Sequence, residues 1–188
     1  MKTVILYGSA RKNGNTRAML EFFLKHHPGE SRVVWAYDTQ VSPCRDCRYC
    51  LKHGVCCVKD DMTEIYTQVE EADNLVVFSP IYIHCLPAPL KTVIDRFQVY
   101  WARRERGEAP ASPGKRGAII LNGGAPAFEN QFLAAELVLT GIFRDMGIMD
   151  PDVLTMADAD KSPFVQSPEQ QACLQALAEK LGNPGLSG

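Results

Sequence analysis

Two stretches of this chain carry residue types that could do chemistry. The first runs from Gly8 to Thr16 (GSARKNGNT), between a short apolar segment and a helix-like one. Backbone N–H groups at a helix start are unpaired, and the helix dipole adds partial positive charge there. Ser9, Asn13, Asn15 and Thr16 supply side-chain donors, and Gly14 admits backbone conformations that other residues resist. Such a loop can cradle a phosphate. A polar strand-to-helix turn capped by Asn or Thr, binding nothing, has the same composition.

Two familiar phosphate loops are excluded. The lysine-bearing pattern G-x-x-x-x-G-K-[ST] fails, because five residues separate Gly8 from Gly14 and Asn15 stands where lysine belongs. The dinucleotide pattern G-x-G-x-x-G fails at Ala10. A Ser/Asn/Thr-rich loop without an obligatory lysine suits a terminal monophosphate.

The second stretch reads Cys44-x2-Cys47-x2-Cys50-x5-Cys56, with Cys57 adjacent. Three cysteines within seven residues crowd thiolates into one small volume, as a compact iron–sulfur cluster requires. An all-cysteine zinc site, a loop that keeps the spacing without metal, and an adventitious disulfide remain open beside it.

The elements that must position these groups are legible from periodicity. Thr3–Tyr7, Arg32–Tyr37, Asn74–Ser79 and Arg116–Leu121 read as apolar strands, with a weaker fifth near Ile148–Met156. Pro151 suits an edge strand, where a missing N–H costs no ladder bond. Helices are expected at 16–26, 61–72, from about Pro87, at 130–146 and at 168–181, and an exposed loop over 102–115. Strands that are apolar throughout imply a sheet covered on both faces, hence a doubly wound parallel α/β fold. We expect one domain over 1–182, with a cysteine-rich insertion at 38–60 and a frayed tail at 183–188.

The 188-residue chain has 46% hydrophobic and 22% charged residues and a net charge of −2. Nothing in that balance argues for nucleic acid or an anionic membrane, and no apolar run is long enough for a membrane span or a secretory signal. A cytoplasmic protein is expected, in which seven cysteines read as metal ligands or free thiols.

In a doubly wound sheet, ligands sit outside the carboxyl ends of the strands. Gly8–Thr16, the cysteine loop, Ser79–Pro89 and Asn122–Glu129 all fall on that edge. In Ser79-Pro80-Ile81-Tyr82-Ile83-His84-Cys85, a proline and an aromatic at a strand end can present a flat apolar surface to a planar ring; a turn that merely covers the core reads the same way. Taken with a monophosphate loop, the segment fits a ring-plus-phosphate ligand such as flavin mononucleotide (FMN).

At this point the chain resembles a known family. GSARKNGNT, SPIYIHCLPAPLKTVIDR and the Asn122–Gly124 loop are similar to the NAD(P)H-dependent FMN reductase group of flavodoxin-like proteins, over Met1 to about Asp150. The cysteine spacing resembles the iron–sulfur flavoprotein branch of that group. The resemblance implies a flavodoxin-like five-stranded sheet in the order 2-1-3-4-5 and non-covalent FMN. Ser9, Arg11, Asn15 and Thr16 would hold the phosphate, with Asn13 on the same loop. Pro80, Ile81, Tyr82 and Ile83 would line the ring, and Asn122, Gly123 and Gly124 would close over it. It further implies a 4Fe–4S cluster on Cys44, Cys47, Cys50 and Cys56, with Cys57 outside the pattern. Lys91, Asp95 and Arg96 read as structural.

Several other residues have plain readings. His26, His27 and His53 are expected on the surface, and His84 in a solvent-facing turn. Cys173 is expected in the core and Cys85 near the ring. Arg103, Arg104, Arg106, Lys115 and Arg116 read as a solvated run or as a docking site for a phosphorylated nicotinamide or an acidic redox partner.

The function expected is that of an FMN-dependent oxidoreductase. It would take electrons from NAD(P)H and pass them to a small acceptor or a redox protein. The flavin would carry the chemistry, so no side chain is cast as a catalytic acid or base. The alternatives are an electron-transfer flavoprotein reduced by a ferredoxin-like partner, and a metal-binding interaction module that has lost its flavin. Phe97, Tyr100 and Trp101 suggest an interface patch, and a homodimer or homotetramer is expected.

Overall fold

The computed structural model describes residues 1–110 and 113–183; beyond Asn183, the expected tail lies outside the described residues. Strands β1 (Lys2–Tyr7), β2 (Glu30–Trp35), β3 (Asn74–Pro80), β4 (Arg116–Asn122) and β5 (Asp152–Met156) form one parallel sheet in the order β2-β1-β3-β4-β5. This is the flavodoxin-like order, with the reversal between β1 and β3. Every residue of β3 is buried, as a strand covered on both faces must be.

Side chains alternate across the sheet with period two, so each strand feeds two cores. Ile5, Tyr7, Val76, Phe78, Ala118 and Ile120 pack under α1 (Asn15–His26) and α7 (Pro168–Gly182). Val4, Leu6, Leu75, Val77, Ile119 and Leu121 pack under α3 (Met62–Glu71), α4 (Ala88–Arg96), α5 (Gln98–Glu105) and α6 (Leu133–Asp145). A short helix, α2 (Tyr49–His53), lies inside the cysteine loop and ends at Gly54 with φ 74°, the left-handed cap that glycine accepts at no steric cost.

Two readings of the middle of the chain are corrected. The segment expected as loop from residue 102 is helical through Glu105. Val99, Tyr100 and Ala102 anchor that helix in the core; the glycines and prolines that suggested an exposed loop begin only at Gly107, and the arginines before them are good helix formers. The aromatic patch also dissolves. Phe97 and Tyr100 are 0% and 2% exposed, which leaves only Trp101 partly at the surface.

The amino-terminal edge of the sheet is closed by a polar network. His27, expected at the surface, is buried there. Its Nδ1 donates to the carbonyl of Ala178 at 3.0 Å, which leaves Nε2 to accept the Thr3 hydroxyl at 2.9 Å. Asn74 Nδ2 donates to Thr3 Oγ1 and to the Leu181 carbonyl, and Arg116 Nη2 donates to the same carbonyl. These bonds satisfy the last carbonyls of α7. Cys173 is corrected in the opposite sense: it is exposed on α7.

Candidate functional site

Gly8 leaves β1 with its N–H bonded to the Phe78 carbonyl at 2.8 Å. An added Cβ would lie 2.5 Å from Leu90 Cδ2 and 3.0 Å from Ser79 Oγ, so the loop can descend here only on glycine. The chain then turns through Ser9, whose Oγ accepts the Arg11 N–H at 3.2 Å. Helix α1 starts after Gly14 with no side-chain cap and no acidic residue in its first turn. Its opening amides are left for an anion.

The loop faces an open cleft of about 450 Å³ at the carboxyl edge of the sheet. Ser9, Arg11, Asn13, Asn15, Thr16, Pro80, Ile81, Tyr82, Asn122 and Gly124 line it, gathered from the ends of β1, β3 and β4. At its base the buried Thr16 hydroxyl donates to Asn122 Oδ1 at 2.7 Å, and the Ile81 N–H donates to the Asn122 carbonyl at 3.0 Å. Three loops therefore share one anchor. Asn15 turns its side chain away: Nδ2 donates to the Ala159 carbonyl and Oδ1 accepts the Phe164 N–H. Its offering to the cleft is its backbone.

Ile83 and Gly123 do not line this cleft. Gly123 is tied into the sheet edge, its N–H on the Met156 carbonyl and its own carbonyl accepting the Ala159 N–H. Ile83 is 94% exposed at the tip of a tight turn. In that turn Tyr82 and Cys85 exchange backbone hydrogen bonds at 2.8 and 3.1 Å. Ile83 and His84 hold φ of 49° and 64°, a geometry that favours Asn-Gly and strains a β-branched residue. His84 also meets Phe128 edge-on at 5.4 Å, so the loops after β3 and β4 touch at the rim. Cys85 closes the turn outside the cleft.

A fourth contributor was not read from the sequence. Ala159, Asp160, Pro163 and Val165, from the segment after β5, complete the cleft wall. The signal was topological, since this loop too lies at a strand's carboxyl end. Weak strand character in β5 hid it.

The five loop cysteines, Cys44, Cys47, Cys50, Cys56 and Cys57, line one hollow against Arg96, Val99 and Trp101. Arg96 is the keystone of that wall. It is 1% exposed, and its guanidinium donates to Asp60, to the Ser42 carbonyl and to Cys56 Sγ at 3.4 Å. Arg106 reaches across from the end of α5 to the Cys50 carbonyl. Burial, and then the charges of Cys56, Cys44 and Cys47, push the Cys50 thiol up. The Tyr49 backbone N–H and the Cys57 thiol hold Cys47 down.

Among the described residues, no three His, Cys, Asp or Glu side chains stand close enough to hold a single metal ion. The donor set has the chemistry that iron–sulfur ligation would use. It is all thiol, it is backed by a buried guanidinium, and a multi-iron cluster takes its ligands around a wider volume than one ion does.

The basic run is not an open cationic patch. Arg103 and Arg106 pair with Glu108, and Arg104 pairs with Asp145 and Glu105. Lys115 donates to the Ala72 carbonyl at the opposite sheet edge. No helix among the described residues is long and apolar enough to cross a membrane.

The chain is 36% identical over 124 residues to an iron–sulfur flavoprotein of Archaeoglobus fulgidus, covering 64% of this chain and 54% of that protein. It is 34% identical over 99 residues to an iron–sulfur flavoprotein of Methanosarcina thermophila, covering 51% and 52%. The chain thus spans about half the length of these curated relatives. Its fold is similar to a crystal structure of an FMN-dependent NADH-azoreductase from Bacillus anthracis in complex with FMN, with a TM-score of 0.76 at 16% identity over 97% of this chain and 100% of that one. The pattern of the NADPH-dependent FMN reductase family matches residues 1–156, and the chain belongs to that family.

Proposed function

We propose that this protein is an FMN-dependent oxidoreductase that takes electrons from NAD(P)H and passes them to a small acceptor or a redox protein. One observation carries the reading: a single cleft joins an uncapped helix start, the Arg11 loop and the Pro80–Tyr82 wall. The phosphate lies on the backbone amides at the start of α1, where the dipole and the Arg11 guanidinium favour negative charge. Pro80, Ile81 and Tyr82 carry the ring, and Asn122 fixes the cleft floor through Thr16. Bound FMN supplies hydride acceptance and electron release; the chain supplies binding and orientation. The cleft is open to solvent, so a nicotinamide would reach the ring that Pro80, Ile81 and Tyr82 would hold. A homodimer or homotetramer is part of this reading, as is a 4Fe–4S cluster held by Cys44, Cys47, Cys50 and Cys56.

The test is steady-state oxidation of NADPH and of NADH by FMN-replete protein with a quinone as acceptor. Turnover with at least one nucleotide is expected. A second reading, an electron-transfer flavoprotein reduced by a ferredoxin-like protein, is favoured by the cysteine hollow. Helix α4 begins behind the cleft and ends at Arg96 on the hollow, about 13 Å away along nine residues. Reduction by ferredoxin without turnover of either nucleotide would select it.

A further inference from the structure

Cys57 is the cysteine that the four-residue ligand set leaves over, yet it is not idle. Its Sγ stands 3.7 Å from Cys47 Sγ, in van der Waals contact. Both residues are exposed. Cys47 sits between Asp46 and Arg48, whose φ of 47° and 57° are left-handed. Its neighbour Cys56 turns inward to Arg96, while Cys57 turns outward to Cys47. Two thiols in contact, on exposed side chains within an irregular loop, are placed to close to the bonding distance of about 2.05 Å.

We propose that Cys47 and Cys57 are a redox-active dithiol, closing to a disulfide under a hydroperoxide and reopening under a thiol reductant. The oxidation balances in two displacements. One thiolate attacks the peroxide; an S–O bond forms, the O–O bond breaks and water leaves after protonation. The second thiol then attacks the sulfenic sulfur; the S–S bond forms, the S–O bond breaks and a second water leaves. Two cysteines lose two electrons and two protons, and one hydrogen peroxide becomes two waters. Reopening consumes two thiols of the reductant, which leave as its disulfide. An exposed disulfide of this kind is the labile sort. Closure also withdraws Cys47 from the proposed cluster ligands, so the oxidised loop is unable to assemble a four-cysteine site. That consequence rests on the cluster reading; the dithiol itself does not.

The test uses the full chain, reduced and desalted, then exposed to hydrogen peroxide, capped with a maleimide and digested without reductant. A Cys47–Cys57 cross-linked peptide is expected, with two fewer reactive thiols among the seven cysteines, and dithiothreitol should restore both. Cys57→Ser should give no Cys47–Cys57 cross-link and leave Cys47 as an uncapped sulfenic acid, which dithiothreitol returns to an alkylatable thiol. Full alkylation of both residues after peroxide, or a cross-link joining another pair, overturns the proposal. A second arm offers inorganic iron and sulfide to each form. Oxidised wild type should take up none until reduced, whereas Cys57→Ser kept from peroxide should take them up. Equal uptake by oxidised wild type overturns the gating consequence. If no form takes up iron while the cross-link appears, the cluster reading and the gating consequence fail and the dithiol stands.

Discussion

Thr16 and Asn122 meet through one buried hydrogen bond of 2.7 Å, and that bond joins the first residues of α1 to the end of β4. They are 106 positions apart in sequence. The contact fixes the phosphate side of the cleft relative to its floor. Thr16→Val keeps the shape and removes the donor, stranding Asn122 Oδ1. A loss of about 1–3 kcal/mol in stability is expected, with weaker FMN binding. Urea unfolding and flavin titration on the same variant check both.

The Ile83–His84 turn stores strain at the rim of the cleft. Two consecutive non-glycine residues with positive φ each cost on the order of 1–3 kcal/mol. Asn-Gly relieves part of that cost, so replacing them together should raise stability by about 1–3 kcal/mol. Ile83 lies outside the cleft, so FMN affinity should be unchanged in the same protein. Thermal unfolding against the wild type, followed by flavin titration, reads both effects.

Arg96 and Asp60 form a buried ion pair with Nη1 to Oδ2 at 2.7 Å. Removing the guanidinium in Arg96→Met strands Asp60 and should cost about 3–5 kcal/mol, loosening the cysteine loop toward proteolysis. Burial pushes the Asp60 carboxyl up, but the Arg96 guanidinium and the Ser42 and Met62 N–H groups outweigh it and hold the carboxyl below its usual range. Its contribution is therefore fully present above the unfolded-state pKa of 3.8 and is lost as pH falls through the lower folded value. Asp60→Asn should be less stable than wild type at pH 7, and the difference should shrink on acidification below about pH 4. Unfolding curves across pH 2.5 to 7, taken as approximate limits, measure it.

Lys115 gives a slope of the same sign in an alkaline window. Burial pushes its ammonium down from 10.5 to about 8, and the nearby Asp73 and Glu70 only partly offset that. Between these two values the unfolded chain binds more protons than the folded one, so this residue makes stability rise with pH from about 8 to 10.5. Lys115→Met should abolish that rise, while its absolute stability near neutral pH should equal or exceed that of wild type. Denaturant unfolding of both proteins at pH 7.5, 8.5 and 9.5, or thereabouts, tests it.

How much was legible depended on whether a residue's role was local. The β1 loop and the parallel sheet follow from short-range pattern, the strand order and the Pro80–Tyr82 wall came with the family resemblance, and the structure brings those residues to one cleft. Long-range partners were not legible. His27 reads as a helix-end surface residue until Ala178 and Thr3 enclose it. Asn15 reads as a ligand donor until Ala159 and Phe164 claim its side chain. Asp160 reaches the cleft only because β5 ends beside β4. Arg103 to Arg106 read as a free cationic run because nothing local shows that Glu108 and Asp145 neutralise them. Cys57 fell outside a spacing pattern, and its contact with Cys47 needed the loop's two left-handed residues.

The central claim is that the cleft at the start of α1 holds the phosphate of FMN. Parallel titrations of the protein with FMN and with riboflavin, followed by flavin fluorescence, address it directly, because the two ligands differ only in the phosphate. One FMN per chain is expected. Riboflavin should bind roughly 10- to 100-fold more weakly, the worth of one or two charge-assisted hydrogen bonds. Equal affinity for the two flavins, or no binding of FMN, would contradict the account.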